Sequence, residues 1–106
     1  MQVRFTTEAR NELKRILDVF IEYAGPMSAE KFGNLVDDKI GMLEKYPEIG
    51  HPEPLLSHLR YNFRAKSINK NYRIIYLIHE DTVWIYDFWD RRCDPEKLKG
   101  RIMTER

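Results

Sequence analysis

A single cysteine, no apolar run long enough to cross a bilayer and a formal net charge of only +1 narrow what this 106-residue chain can be. Cys93 has no second cysteine to pair with, which excludes an intrachain disulfide and a cysteine-built metal cluster. No apolar stretch approaches the roughly eighteen residues that span a bilayer core, so no membrane partner is expected. The opening MQVRFTTEAR lacks an apolar segment ahead of a small-residue cleavage site, so the chain is read as unsecreted and cytoplasmic. Glycine-rich phosphate loops, dinucleotide fingerprints and zinc-ligand spacings are all missing, and neither cofactor nor metal is expected. Near-neutrality argues against a general polyanion binder.

What is present fits one globular domain over residues 1–106, with 42% apolar and 33% charged residues. The charge is unevenly placed. Residues 1–59 carry seven Lys and Arg against ten Asp and Glu, whereas residues 60–106 carry eleven against seven. A basic second half creates a local field in a nearly neutral chain, although uneven surface charge alone gives the same count.

QVRFT, residues 2–6, is long enough for a short strand with Val3 and Phe5 on one side. A first helix is expected from Thr6 or Thr7, with Glu8 in its first turn and a stripe of Ala9, Leu13, Ile16, Phe20 and Tyr23. Gly25 and Pro26 end it. Ser28 is the expected cap of a second helix, whose face is Phe32, Val36, Ile40 and Leu43, widened by Leu35. Gly41 weakens that helix unless close packing requires it. Pro47 stops it, and residues 47–54 read as a rigid proline-rich loop. The two helices form an αα-hairpin.

Beyond residue 59 the period turns extended. Tyr61, Phe63 and Ala65 alternate with Arg60, Asn62, Arg64 and Lys66. NKN turns the chain at 69–71. YRIIYLIH follows, with Tyr72, Ile74, Tyr76 and Ile78 on one face and Arg73, Ile75, Leu77 and His79 on the other. Glu80-Asp81 closes a hairpin to a third strand, TVWIYDFW, with Val83, Ile85 and Trp89 on one face and Trp84, Tyr86 and Phe88 on the other. The expected fold is therefore α+β, an N-terminal strand and two-helix hairpin packed on a small antiparallel sheet. Helices cover only one face, so the remaining apolar surface must meet the tail, a partner or solvent. Asp94-Pro95 opens a short turn through Lys99, and Ile102 and Met103 are expected to dock the tail on the sheet.

Chemistry concentrates in the basic residues. Arg64 and Lys66 lie two apart on one strand and share a face; Arg73 arrives on the neighbouring strand, with its face set by register. Arg91 and Arg92 follow the third strand. Fixed cations on a stiff platform suit a nucleic-acid backbone or the charge developing on a scissile phosphate; a solvated basic face is the competing explanation. His51, His58 and His79 have no companions at metal spacing. Cys93 follows two arginines but has no evident histidine partner. Asp87 and Asp90 are oddly spaced and do not form a carboxylate pair. The tyrosines and tryptophans of the strands are read first as core.

FTTEARNEL, the Phe32–Leu35 stretch, PEIG and above all YRIIYLIHEDTVWIYDFWDRR, in that order, resemble the RelE/ParE toxin superfamily of bacterial type II toxin–antitoxin systems. The resemblance covers nearly the whole chain. It implies a cognate antitoxin that wraps the toxin and masks its active surface. In RelE-like members it implies metal-independent cleavage of messenger RNA on the ribosome, with the ribose 2′-hydroxyl as nucleophile. Lys66, Arg73 and Arg92 match the catalytic basic positions of that pattern, with Arg64 and Arg91 as further substrate-binding cations; a one-residue shift exchanges Arg91 for Arg92. The pattern breaks after the last strand, where CDPEKL replaces the expected tyrosine, and no Glu–His pair of another nuclease branch is evident. ParE-like members instead inhibit DNA gyrase, and an inactive relative acting only as a protein-binding module is a third outcome.

Overall fold

The computed structural model describes residues 1–104, with side chains described as far as Ile102. The elements run β1 (Gln2–Phe5), α1 (Thr7–Ala24), α2 (Pro26–Lys45), β2 (His51–Pro52), a 3-10 turn (Pro54–Leu56), β3 (Arg64–Ser67), β4 (Tyr72–His79), β5 (Thr82–Asp90) and α3 (Pro95–Thr104). The five strands form one sheet in the order β1-β5-β4-β3-β2. No helix is long and apolar enough to cross a membrane.

The α+β architecture agrees with the sequence reading, but the sheet is mixed. β1 pairs with β5 in parallel, the connection between them running through the helical hairpin and then the antiparallel strands β2, β3 and β4. Thr6 caps α1, its Oγ1 accepting from the Ala9 amide at 3.1 Å. Gly25 alone separates the helices, at φ +90°, a conformation that glycine adopts without a side-chain penalty. Pro26 therefore begins α2 at its first position rather than merely ending α1. Ser28, expected to cap α2, lies inside it and donates to the Ala24 carbonyl. At the far end, α3 runs beyond the expected turn, from an Asp94 side chain that accepts from the Glu96 amide, and buries Leu98 and Ile102. The Met103 side chain lies outside the described residues.

Each sheet face carries a buried core. Against α1 and α2 lie Ile74, Tyr76, Val83, Ile85 and Phe88, meeting Ala9, Ile16, Phe32, Val36 and Leu43. Against the 3-10 turn, the loop up to Phe63 and α3 lie Ile75, Leu77 and Trp89. Each large aliphatic side chain removed from water here contributes on the order of 1.5–3 kcal/mol. The alternation read for β4 holds, whereas that for β5 holds only to Tyr86. Tyr76 pairs with Ile85 but Ile75 pairs with Asp87, so Tyr86 is an extra residue, a β-bulge. The bulge flips the phase, sending Phe88 to the helix side and Trp89 to the other. Tyr23, expected on the α1 stripe, is 80% exposed.

β3 begins at Arg64, four residues later than the alternation suggested, and the proline loop contributes the two-residue β2. Asn69 shapes the turn between β3 and β4, its Oδ1 accepting from the amides of Asn71 and Tyr72, both at 2.9 Å. Glu80 and Asp81 adopt φ of 48° and 61°, the signature of a type I′ hairpin turn.

Two glycines behave oppositely. A Cβ on Gly50 would fall on the Tyr76 hydroxyl and 2.7 Å from the Ala65 carbonyl, while Gly41 has nothing within 4 Å. Close packing therefore does not explain Gly41. Gly50→Ala should lower unfolding free energy by about 1–3 kcal/mol in urea melts, the usual penalty of overpacking. Gly41→Ala should raise it by up to about 1 kcal/mol.

Candidate functional site

The register settles where the cations go. Lys66 lies opposite Ile74 in the β3–β4 ladder, and directly opposed residues share a face. Ile74 belongs to the helix-side core, so Lys66 rises on the helix side, half-buried and without a hydrogen bond or ion pair among the described residues. Arg64, opposite Tyr76, shares that side. Its guanidinium donates to the carbonyls of Glu48 at 3.2 Å and Gly50 at 2.7 Å, fastening the loop after α2 to the sheet. The buried Tyr76 hydroxyl completes this clamp, donating to the Pro47 carbonyl at 2.8 Å and accepting from the Gly50 amide at 3.0 Å.

Arg73 points to the other face. It lies opposite Trp89, and its Nη2 comes within 2.6 Å of Oε1 of the buried Glu53. The contact is an ion pair without a hydrogen bond: both Glu53 carboxylate oxygens and Arg73 Nε lack hydrogen-bond partners among the described residues. Burial raises the Glu53 pKa, opposed by the positive charges of Arg73 and Arg91. Arg91, exposed beyond β5, therefore belongs to the Arg73 side, its backbone amide anchored on the Asn71 carbonyl at 2.7 Å. Sequence reasoning missed Glu53. Its only signal was an acid set between two prolines, where a fixed backbone holds the carboxylate inward.

Arg92 sits at the other side of the same sheet end. It makes two 2.9 Å bonds to the Asp90 carboxylate and lies 5.8 Å from the centroid of the Tyr72 ring. Hydrogen bonding from Arg92 holds the Asp90 pKa below the ordinary carboxylate range, and that carboxylate in turn raises the arginine's. Phe20, Tyr23, Asn69 and Tyr72 join Arg92 around an open groove of about 320 Å³. The five basic residues singled out in the sequence thus divide: Arg64, Lys66 and Arg92 on the helix side, Arg73 and Arg91 on the other. His51, His58 and His79 are exposed, as is Cys93, and no group of three potential metal ligands occurs among the described residues.

A second buried acid fixes α3. Asp87 is paired by Arg101, which also reaches Glu12 Oε2 at 3.5 Å and lies over the Trp89 ring. Desolvation raises the Asp87 pKa to about 7 despite the attraction of Arg101 and the hydrogen bond from the Phe88 amide.

These pairs generate two predictions. Arg73→Ala strands the Glu53 carboxylate and should destabilise by about 2–3 kcal/mol, less than a fully buried pair because Arg73 keeps some solvent. Lys66→Ala should stay within about 0.5 kcal/mol of the parent in the same urea melts. For Asp87, the native state binds its proton more tightly than the unfolded chain. Stability should therefore fall as pH rises from 3.8 to about 7. Asp87→Asn should flatten that slope and gain on the order of 1–3 kcal/mol at pH 8, read by urea melts across the range.

The model of the family described as "ParE toxin of type II toxin-antitoxin system, parDE" matches residues 3–95. No curated protein sequence matches the chain. Among solved structures, the fold resembles one titled "Chromosomal ParDE TA system from P. aeruginosa", with a TM-score of 0.70, 18% identity and coverage of 85% of this chain and 95% of that one. It also resembles the YoeB dimer of Staphylococcus aureus, with a TM-score of 0.57, 19% identity and coverage of 82% and 92%. At these identities the structural likeness speaks for the fold alone. The family match covers most of the chain, and the protein belongs to the ParE toxin family of type II toxin–antitoxin systems.

Proposed function

We propose that this chain is a cytoplasmic growth-arresting toxin that acts by binding DNA gyrase, without cutting RNA, and is silenced by a cognate antitoxin. The observation that carries this reading is the division of its cations. A metal-free ribonuclease needs a base, a phosphate-holding cation and an acid around one scissile bond. Lys66 and Arg73, the two residues matched to that task, emerge on opposite faces of the sheet. Arg64 and Arg92 are already engaged by carbonyls and by Asp90. A surface whose cations are divided between two faces, with Arg73 and Arg92 held by carboxylates, suits protein recognition better than phosphate chemistry.

One arrangement favours the alternative, a ribosome-dependent endoribonuclease. Glu53, with its raised pKa, sits against Arg73 with Arg91 near. A carboxylate of elevated proton affinity beside a guanidinium can take a proton from a 2′-hydroxyl while the cation holds phosphate. That site would use Arg73 and Arg91 on the α3 side, leaving Lys66 and Arg92 outside it.

Controlled induction, with messages mapped by primer extension and covalent gyrase–DNA breaks measured together, separates the readings. The expected result is growth arrest, rescued by the antitoxin of the adjoining gene, with accumulated breaks and uncut messages. Cuts in translated messages that Glu53→Gln abolishes in a folded variant would establish the nuclease. Neither readout, with antitoxin binding retained, would mark an inactive relative.

A further inference from the structure

The face that carries Trp89 has a second feature, far from the cation-bearing end. Near the β4–β5 hairpin, Trp84 and Tyr86 from β5, Leu77 and His79 from β4 and Tyr61 from the preceding loop line an open cleft of about 360 Å³. These aromatic residues are only partly covered, with Tyr61 40% exposed. The cleft lies beside the α3 cover: Trp84 and Tyr86 pack against the same core as Leu98 and Ile102.

Its rim is basic. Arg4 lies opposite Trp84 in the parallel β1–β5 ladder and so emerges on the cleft side. The Arg60 guanidinium stands 5.3 Å from the centroid of the Tyr61 ring. Neither arginine has a carboxylate partner among the described residues, in contrast to Arg15, Arg73, Arg92 and Arg101. An aromatic floor with unneutralised guanidinium groups beside two of its lining residues, Trp84 and Tyr61, is complementary to an apolar anchor flanked by carboxylates.

Two chemistries share that description, a nucleic-acid strand and an acidic peptide, and the surroundings favour the peptide. Glu80, exposed and 3.7 Å from the lining residue His79, and Asp81 next to it put negative charge beside the cleft, which disfavours a continuous run of phosphates. The volume suits one large side chain with its backbone rather than a row of stacked bases. We propose that this cleft receives a segment of the cognate antitoxin, seating one aromatic or large aliphatic side chain on Trp84 and Tyr86 with neighbouring Asp or Glu residues on Arg4 and Arg60. The proposal rests on the toxin–antitoxin reading and adds to it a site and the chemistry of its occupant. Arg4 and Arg60 are exposed, so changing them tests the contact without opening the core.

The test uses the full chain, the full-length antitoxin of the adjoining gene and twelve-residue peptides tiled along that antitoxin. Titration calorimetry gives affinity, and the Trp84 indole N–H resonance, assigned with Trp84→Phe, reports occupancy. One peptide with an apolar residue flanked by acids should shift that resonance and lose about tenfold in affinity for each of Arg4→Glu and Arg60→Glu. Lys70→Glu, elsewhere on the surface, should leave binding unchanged, and Lys in place of the peptide acid should restore binding to the Arg→Glu variants. Antitoxin that binds and rescues growth with undiminished affinity for both Arg→Glu variants overturns the proposal while the toxin–antitoxin reading stands. A twelve-residue poly(U) or poly(dT) strand that shifts the indole resonance where no peptide does overturns it in favour of nucleic acid. An adjoining-gene product that neither binds nor rescues growth overturns both together.

Discussion

Apolar side chains on both faces of β4 and β5 govern this molecule. A strand pair carrying Ile74, Tyr76, Val83, Ile85 and Phe88 on one side and Ile75, Leu77 and Trp89 on the other must be covered twice. The αα-hairpin provides one cover, while the 3-10 turn, its following loop and α3 provide the other. Little room is then left for charge over the centre of the sheet. Cations stand at strand ends and edges, on whichever face the register gives them, and those that turn inward find a fixed acceptor. Glu53 serves Arg73 and Asp87 serves Arg101, each buried acid with its proton affinity raised by desolvation.

This constraint explains why function is hard to read from the basic residues alone. A chain that carries cations two residues apart and then another on the next strand looks as if it gathers them. In the folded sheet, Lys66 and Arg73 are separated by its thickness, and removing Arg73 disturbs a buried ion pair before it disturbs any chemistry. Loss of toxicity in such a variant would therefore say little about catalysis. The buried Glu53 is the more informative position, because Glu53→Gln keeps the shape and removes the proton acceptor.

What the sequence disclosed follows from how local each signal is. The hairpin helices, their separation at Gly25-Pro26, the face assignment of YRIIYLIH and the tight hairpin connection at Glu80-Asp81 are properties of neighbouring residues and were legible. The parallel placement of β1 was not, because the partner strand lies some eighty residues away. Nor was the bulge at Tyr86, which exchanges Phe88 and Trp89 between the two cores: a bulge is decided by the fit of a strand to its partner and leaves no mark on the period. The site suffered the same way. The residue types of Arg64, Lys66, Arg73, Arg91 and Arg92 were visible, their faces were not, and neither the inward turn of Glu53 nor the role of Arg64 in clamping the 47–50 loop had a local signature.

The face assignment of Lys66 and Arg73 bears most of the account and is open to direct measurement by nuclear Overhauser contacts in the isotopically labelled chain. The account predicts cross-peaks from the Lys66 methylenes to the Ile74 methyls, and from the Arg73 methylenes to the Trp89 indole protons. Lys66 contacts to the Trp89 indole, or Arg73 contacts to Phe32, would place both cations on one face and contradict it.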